Sequence, residues 1–430
     1  MLTIKWKFIP KEGSFFLNDI VLSPQQRRWI IVVLGFLSAI NPLSMDMYLP
    51  AFQQMAHALQ TTTANLSFTV SSYLIGIGVG QVFYGPLLDR FGRKRPLYVG
   101  LALYIIASIG CIFSRSLSEI MGWRFLTAVG GCVATVASMA MVRDLFEAKE
   151  RARVFSLLML VVGVSPLLAP TLGSLVAIHI GWYGSFIILI FLVSLMILLA
   201  ALILPESHGG DASVQLTPGS IARDYWTVLC QTQFSTYVLI GGISFSSLFG
   251  FIAASPVLLF TFFKVSVYGY GFIFTALAAG YISGSQVSLL LLRRFHTLQV
   301  LNLAIVLQIV SSLMFVAVTW MNWISLPLIF VLLFIMLLSV GCALPNAAGL
   351  AIAPFSKNAG RASALFNTIQ VVLGTAVSLA IGLISIKTMF PIAVVFALPA
   401  VMAGMLFIFK KHIKQVLSEK EKTIEVGALH

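Results

Sequence analysis

A single carboxylate inside an apolar stretch is the first residue of this chain that could carry chemistry. Asp46 is the only acidic residue between Trp29 and Pro50, where the sequence reads WIIVVLGFLSAINPLSMDMYLP. About 20 apolar residues suffice for a helix that crosses a bilayer, and a charge at its centre costs about 2.5–3.5 kcal/mol on insertion scales. Because such residues usually mark a proton, ion or substrate path, Asp46 is the first candidate functional residue.

A second charged residue, Arg124, also lies in an apolar segment, about one turn after its start. Two interpretations of Arg124 are open. Its side chain could extend to the membrane interface, where Arg115 and Glu119 are close in sequence, or it could point inward and act with Asp46. Burial of a carboxylate raises its pKa and a nearby arginine lowers it, so a carboxylate under both influences can exchange a proton near neutral pH.

Residue types that bind metals or act as nucleophiles are not spaced for that chemistry. The histidines show no metal-ligand spacing, and no Ser/His, His/Asp or metal constellation of an integral enzyme is visible. The sequence therefore predicts no enzyme, cofactor or metal site. We interpret the four cysteines, which form no CxxC pair, as small packing residues: Cys111, Cys132, Cys230 and Cys342.

Composition predicts the fold class. Hydrophobic residues make up 59% of the chain and charged residues 10%, against about 25% charged in soluble domains. These values are typical of an all-α integral membrane protein with many spans. Short charged or Gly/Pro-rich breaks separate about twelve apolar segments, and the predicted spans are 29–50, 64–87, 97–114, 119–142, 154–178, 182–204, 233–256, 267–292, 298–319, 324–345, 361–385 and 389–409.

The distribution of basic residues predicts the orientation. With the N-terminus in the cytoplasm, the outside segments keep only Arg115, Lys264 and Lys387 among the lysines and arginines. Cytoplasmic loops carry such an excess, so both termini are predicted to be cytoplasmic. The net charge of +13 is therefore a topology signal, and its spread over many loops predicts no nucleic-acid partner.

Two halves of similar organisation are predicted. Six spans precede and six follow the longest polar break, Pro205–Thr232, and Gln81–Val82 near the end of the second span recurs as Gln286–Val287 in the eighth. Two six-helix bundles with a site at their interface are typical of many secondary transporters. The predicted divisions are an N-terminal cytoplasmic tail (1–28), a first bundle (29–204), a cytoplasmic linker (205–232), a second bundle (233–409) and a C-terminal cytoplasmic tail (410–430).

The loop after the second span carries the motif GPLLDRFGRKRP, from Gly85 to Pro96. An inside loop explains its basic residues but not Asp89 or the spacing of its glycines. It resembles the signature loop GxLxDRxGRR of the major facilitator superfamily, whose fold is two bundles of six membrane helices. The resemblance implies a gating loop that holds the cytoplasmic side shut through ionic contacts at helix ends, formed by Gly85, Asp89, Arg90, Gly92 and Arg93.

Two further segments resemble elements of this superfamily. The Arg124 segment is similar to RxxQGxG, which favours an inward-facing, proton-linked Arg124; the shorter Thr127, in place of the usual Gln, leaves a hydrogen bond to a neighbouring helix in question. The fifth span keeps the spacing of the antiporter signature, in which small residues let helices approach and prolines bend the helix. Ordinary small-residue packing is the alternative for its motif positions, Ser165, Ala169, Pro170 and Gly173.

Three strings narrow the resemblance: DMYLP at Asp46–Pro50, RDLFEA at Arg143–Ala148 and GRASAL at Gly360–Leu365. Over residues 28–410, roughly, the chain resembles the bicyclomycin/chloramphenicol-resistance (Bcr/CflA-type) drug:proton antiporters of bacterial inner membranes. This resemblance implies that protonation of Asp46 is coupled to substrate exchange. The implied partners are a small-molecule substrate, protons and the lipid bilayer, with no obligate protein partner.

The identity of the substrate is open at this stage. Export of drugs and export of one endogenous metabolite, such as an amino-acid derivative or a siderophore, use the same motifs; a membrane enzyme or sensor is the remote alternative. An adaptable apolar pocket suits varied substrates. Helix packing or lipid contact is the other explanation of the candidate pocket residues, Tyr48, Met139, Met159, Phe245 and Phe249.

Overall fold

The structure, a computed structural model, describes residues 23–211, 225–355, 359–384 and 388–427. Most of the predicted N-terminal tail, the middle of the predicted linker, Lys387 and the last residues of the C-terminal tail lie outside the described residues. Within the described ranges the chain is largely helical and contains no strand. Among the described residues, twelve helices are long and apolar enough to cross a membrane, which confirms the predicted all-α membrane fold.

The first of two compact units contains six long helices together with residues 255–275. Residues 255–275 comprise the end of the seventh long helix, a π-helical turn at Val257–Phe262 and the first turns of the eighth. A 3₁₀ turn, Leu49–Ala51, and a short helix, Phe52–Ala58, connect the first two long helices. The six are α1 (Pro24–Asp46), α2 (Thr63–Phe91), α3 (Lys94–Phe113), α4 (Leu117–Leu145), α5 (Ala148–His179) and α6 (Gly184–Ile203).

The second unit contains residues 221–254 and those from 276 onward. Its helices follow the predicted spans in number and order, and the differences lie at helix ends. The largest concerns the last span, which was predicted to end at residue 409, whereas the twelfth helix continues to Gly427. The first span was predicted to run to Pro50, but α1 ends at Asp46. The divisions into tails, bundles and linker stay predictions. The long helices of this half are α7 (Thr232–Pro256), α8 (Val267–Leu291), α9 (Thr297–Trp320), α10 (Leu326–Ile352), α11 (Ala359–Leu383) and α12 (Phe390–Gly427).

Side-chain caps begin the two helices that carry the charged candidates. At the start of α1, the Gln26 amide donates to Ser23 Oγ at 3.2 Å and the Ser23 amide donates to Gln26 Oε1 at 2.9 Å. At the start of α4, Ser116 Oγ accepts from the Glu119 amide at 3.3 Å. These side chains satisfy amides that have no partner inside the helix, so both helices have defined starting points.

In both units the second long helix packs closely on the fourth through two glycines. A Cβ on Gly76 of α2 would stand 2.7 Å from a side-chain atom of α4, and one on Gly80 would stand 2.8 Å away. On α8, Gly280 and Gly284 leave no room for a Cβ against α10. Small residues allow helix backbones to approach this closely. Each half therefore contains the same glycine contact, which supports the predicted duplication.

Candidate functional site

Asp46 ends α1 and is buried inside the first unit, with 3% of its surface exposed. One carboxylate oxygen, Oδ1, has no hydrogen-bond partner. Within the described part of the chain Asp46 forms no ion pair, and Tyr270, in the first turn of α8 and in the same unit, lies within electrostatic range of it. This carboxylate can therefore gain or lose a proton without breaking a salt bridge.

Arg124 is fully buried in α4 and lies between two aromatic rings. Its guanidinium carbon is 4.2 Å from the centre of the Tyr48 ring and 4.1 Å from that of Tyr73, within the range of cation–π attraction. Nη1 donates to Ser44 Oγ at 3.2 Å and Nη2 to the Ser44 carbonyl at 3.1 Å, while Nε has no partner. The side chain points inward and does not extend to a membrane interface.

The structure does not bring Arg124 and Asp46 into contact. Ser44, which binds Arg124, is two residues from Asp46, and residues at this spacing point to different faces of a helix. Ser44 and Tyr48, four positions apart, both contact Arg124, and Asn41 lies three positions before Ser44. No ion pair joins Arg124 to Asp46 among the residues described here, so their functional coupling stays a prediction.

A hydrogen-bond network around Asn41 fixes the face of α1 that meets Arg124. Asn41 Nδ2 donates to Thr135 Oγ1 of α4 at 3.1 Å, and the Tyr73 hydroxyl of α2 donates to Asn41 Oδ1 at 3.1 Å. Buried polar groups of this kind need partners, and here the partners lie on two neighbouring helices. The network therefore joins α1, α2 and α4 around the arginine.

Thr127 does not form a strong hydrogen bond to a neighbouring helix. Its hydroxyl donates to the Trp123 carbonyl of its own helix at 2.8 Å, and its contact with α3 is a 3.9 Å approach to the Cys111 sulfur. The sulfur contact is a weak cross-helix link, and whether Thr127 replaces the usual Gln in function stays open. Sequence reasoning missed the residues that contact Arg124 or support its contacts; polar residues at helical spacing in an apolar span are the signal for two of them, Asn41 and Ser44.

The antiporter-like helix α5 meets the chain beside Asp46. Gly173 faces the backbone of Met47, where a Cβ would overlap the Met47 carbonyl oxygen. Ala169 is fully buried, and the Ser165 hydroxyl donates back within α5 at 2.9 Å. The small residues serve close packing, and Gly173 determines how near α5 lies to the end of α1.

The same helix is hydrogen bonded to the beginning of α8 within the first unit. The hydroxyls of Thr171 and Thr275 are 2.9 Å apart, and Thr275 donates to the Leu167 carbonyl at 2.8 Å. Pro170, the proline of the motif, leaves a carbonyl that accepts from Ser174 Oγ at 2.8 Å. Helix α5 therefore contacts both the end of α1 and the beginning of α8.

The predicted gating loop forms an ionic cluster between α2, α3 and α4. Arg93 Nη1 bonds Asp89 Oδ1 at 2.6 Å, and Arg93 Nε bonds Asp144 Oδ2 at 2.8 Å. Burial acts to lower the pKa of Arg93, but the hydrogen bonds and charges of Asp144 and Asp89 outweigh it and hold that pKa above its ordinary value. Arg90 lies outside this cluster, 5.6 Å from the centre of the Phe91 ring.

The first residues of the predicted linker complete this cluster. Glu206 accepts from the backbone amides of Arg93 and Lys94 at 2.7 and 3.1 Å. A carboxylate is favoured there because the N-terminus of α3 carries a partial positive charge. The Asp211 amide donates to the Asp89 carbonyl at 3.0 Å. Residues 205–211 are therefore bound to the α2–α3 loop.

The two glycines of the gating loop have different roles. Gly92 has φ +82° and ψ 175°, a conformation essentially restricted to glycine, and a Cβ there would stand 2.8 Å from the His208 carbonyl oxygen. A Cβ on Gly85 would meet no atom within 4 Å. This conformation therefore requires glycine at position 92 but not at position 85.

The five candidate pocket residues lie in different surroundings. Tyr48 is fully buried against Arg124, whereas Met159 is 46% exposed and Met139 is half-buried. In the second unit, Phe245 and Phe249 form an edge-on pair with ring centres 5.2 Å apart. The observed contacts of Tyr48 are those of a core residue, and the role of the five as a substrate pocket stays a prediction.

A cavity of about 340 Å³ lies within the second unit, between α8, the start of α9 and α10. Its polar side includes Asn346, whose Nδ2 donates to Ser288 Oγ at 2.7 Å. None of the residues that the sequence singles out lines this cavity.

Among the described residues, twelve apolar helices, the buried intramembrane charges Asp46 and Arg124 and small-residue helix contacts are together typical of a polytopic secondary transporter. The sequence profile of the Major Facilitator Superfamily matches residues 34–378, and the chain belongs to this superfamily. The predicted superfamily resemblance is thereby confirmed.

Individual relatives and structures agree with this membership. An uncharacterized MFS-type transporter of Bacillus subtilis, YdgK, is 27% identical over 389 residues, which cover 89% of this chain and 95% of the relative. A bicyclomycin resistance protein homolog of Haemophilus influenzae is 29% identical over 287 residues, covering 66% of this chain and 71% of the relative. The crystal structure of a D-xylose–proton symporter has the same fold, with a TM-score of 0.69 at 15% identity over 89% of this chain and 97% of the other.

Replacing Gly92 by Ala is expected to destabilise the protein by about 1–3 kcal/mol, because a side chain in this backbone conformation has a cost of that size and collides with the His208 carbonyl. Gly85→Ala is the matched control and is not expected to lower stability, because its Cβ meets no atom within 4 Å and Ala is favoured over Gly inside a helix. Thermal unfolding of the purified proteins in detergent measures the difference. Equal midpoints for the two variants would contradict this account of the loop.

Proposed function

We propose that this protein exports small amphipathic molecules, drugs among them, across the bacterial inner membrane in exchange for protons. Its superfamily accounts for secondary transport. The substrate class and the direction are supported by the Haemophilus influenzae relative, which is named a bicyclomycin resistance protein homolog. The bias of basic residues supports an orientation with both termini in the cytoplasm.

One observation carries the proton coupling: Asp46 is a buried carboxylate in a membrane-spanning helix, and its Oδ1 lacks a hydrogen-bond partner. Carboxylates at such positions are costly when charged and commonly belong to proton relays. Because no salt bridge of the described residues holds the charged form, proton binding changes the charge at this point without breaking an ion pair. Asp46 is therefore suited to alternate between two protonation states.

In the proposed cycle the substrate binds from the cytoplasmic side while Asp46 is deprotonated. A proton from outside then binds Asp46, the substrate leaves, and the proton is released to the cytoplasm. One charge gains about 2.3 kcal/mol per 100 mV, or ~3.5 kcal/mol at ~150 mV. Since about 1.4 kcal/mol corresponds to tenfold, one proton supports a gradient of roughly a few hundredfold for a neutral substrate.

We expect helix α5 to transmit the effect of protonation at Asp46 to the beginning of α8. Through Gly173 it touches the Met47 backbone, and through Thr171 it is bonded to Thr275 at the beginning of α8. A shift of the chain at Met47 must therefore displace α5, since the contact with Gly173 has no free space. The ionic cluster of Arg93 is made of charge-assisted bonds, which can separate and reform as the gating loop moves.

Replacing Asp46 by Asn is expected to abolish proton-driven transport, because Asn keeps the shape of the protonated carboxyl group but cannot release a proton. Uptake into everted membrane vesicles, with and without a proton gradient, measures this over a panel of amphipathic antibiotics that includes bicyclomycin. Substrate exchange without a gradient is expected to survive in the variant, which separates loss of coupling from loss of folding.

Two further variants complete the Asp46 experiment. Glu119→Gln removes an acid whose carboxylate bonds the Arg115 amide at the start of α4, and it is expected to transport like the wild type. Asp46→Glu restores a titratable group and is expected to recover part of the proton-driven uptake. Full gradient-driven uptake by Asp46→Asn would overturn the coupling assignment.

Gly173→Ala is expected to reduce transport by about tenfold or more, because the added Cβ overlaps the Met47 carbonyl and a functional group displaced by ~1 Å loses most of its effect. Gly163→Ala on the same helix is the control, since its Cβ would meet no atom within 4 Å. The same vesicle assay, normalised to the amount of protein in the membrane, compares them. If both variants transport equally well, the role given to α5 is wrong.

A further inference from the structure

We infer that Tyr48 and Tyr73 are positioning residues for proton coupling. Their rings hold the Arg124 cation on the Ser44 face of α1 and so keep it from pairing with Asp46. This inference rests on the proposed function, in which Asp46 carries the proton. It assigns the two tyrosines a role that goes beyond the general packing of aromatic residues.

The first step is the way in which the Arg124 charge is accommodated. The guanidinium is fully buried, and the ring centres of Tyr48 and Tyr73 lie 4.2 and 4.1 Å from its carbon. Ser44 accepts one hydrogen bond from each terminal nitrogen. A buried cation needs compensation, and in the described part of the chain the rings and Ser44 provide it without a carboxylate.

The second step concerns two polar atoms that lack partners. Arg124 Nε is a buried donor without an acceptor, and Asp46 Oδ1 is a buried acceptor without a donor. Both belong to the first unit: Asp46 is the last residue of α1, and Arg124 is bonded to Ser44, two residues before it. If Arg124 were released from the two rings, the N–H donors of its planar guanidinium group would match the geometry of a carboxylate. Asp46 is the carboxylate that would then accept hydrogen bonds from Arg124.

The third step is that the two rings are themselves held in place. The Tyr48 hydroxyl lies 2.9 Å from Thr69 Oγ1, and its ring packs against Phe186 with centres 6.0 Å apart. The Tyr73 hydroxyl donates to Asn41 Oδ1 at 3.1 Å. Because both rings are anchored by groups other than Arg124, they can orient the cation rather than follow it.

The remaining groups that face the two charges do not compete for this pairing. Tyr270 of α8 faces Asp46. Arg124 is faced by Tyr104 and Cys111 of α3, in addition to Tyr48 and Tyr73. These are hydroxyl and thiol groups, neutral in their ordinary state near pH 7. Among the described residues that face either charge, Asp46 is thus the carboxylate available to a released Arg124.

The experiment measures the protonation of Asp46 directly. Dicyclohexylcarbodiimide modifies protonated carboxyl groups in apolar surroundings, and mass spectrometry of the Asp46 peptide follows the modification over a pH series, with Asp46→Asn as the blank. In Tyr73→Leu, a released Arg124 would favour the charged form of Asp46. Half-modification is then expected to move to lower pH by about 1–3 units, the effect of an opposite charge within ~4–6 Å.

Matched variants separate the ring from the hydroxyl and from folding. Tyr73→Phe keeps the ring but loses the bond to Asn41 that anchors it, so its half-modification pH is expected to shift less than that of Tyr73→Leu. Tyr48→Leu is the second test, in case Tyr73→Leu does not fold. In an Arg124→Gln background, Tyr73→Leu is expected to have no further effect, because the cation that it releases is absent.

Two results would overturn the inference. One is a wild-type half-modification pH in both leucine variants, and the other is a shift that persists in the Arg124→Gln background. Failure of the proposed function has a different signature: Asp46→Asn would then show proton-driven uptake, while the leucine variants would still shift the modification of Asp46.

Discussion

Burial of the Arg124 guanidinium between two tyrosine rings is the interaction on which the first unit depends. An uncompensated buried ion costs several kcal/mol. A desolvated cation–π contact contributes up to about 2 kcal/mol or more, and a hydrogen bond to a charged group about 1.5–3 kcal/mol. Two rings and two bonds to Ser44 therefore offset a cost of this size. Since they come from α1, the turn after it and α2, these elements and α4 must stay together.

This constraint determines where Asp46 lies. The end of α1 is held on one face by Arg124 and the Asn41 network and is touched by Gly173 of α5 at Met47. The Asn41 network joins three helices through hydrogen bonds. The contact of Gly173 with Met47 is instead a packing contact, made by a helix that contains two prolines. A carboxylate at this junction thus lies between helices joined by hydrogen bonds on one side and a proline-containing helix on the other.

Much of the fold was predictable because its signals are local. Span number follows from hydropathy, and the need for glycine at position 92 follows from a motif whose spacing is short. The contacts of Arg124 were not predictable, because they depend on the rotation of α1 about its axis. The coupling of Asp46 with Arg124 was predicted from their being the charges inside the first-half spans, and it stays a prediction. Hydropathy does not reveal that Arg124 meets the Ser44 face of α1. Tyr48 is buried against Arg124, and its role in a pocket stays a prediction, because composition cannot distinguish an aromatic core residue from a binding residue.

Residues 205–211 were predicted to be part of a linker because they are polar, and their tertiary contacts could not be read from composition either. Composition does not reveal that the Glu206 carboxylate has amide partners at the N-terminus of α3. The sequence also gave no reason to associate residues 255–275 with the first six helices. Both features depend on tertiary hydrogen bonds between segments that are far apart in the chain.

The threonine contact between α5 and α8 has a kinetic consequence. Thr171 and Thr275 are joined to each other and to a carbonyl by neutral hydrogen bonds, each with a net value of about 0.5–1.5 kcal/mol. Any motion that separates these helices meets a resistance of ~1–3 kcal/mol from this contact, which slows it by roughly 5- to 150-fold. A contact of this strength therefore adds only a modest barrier to the separation of the two helices.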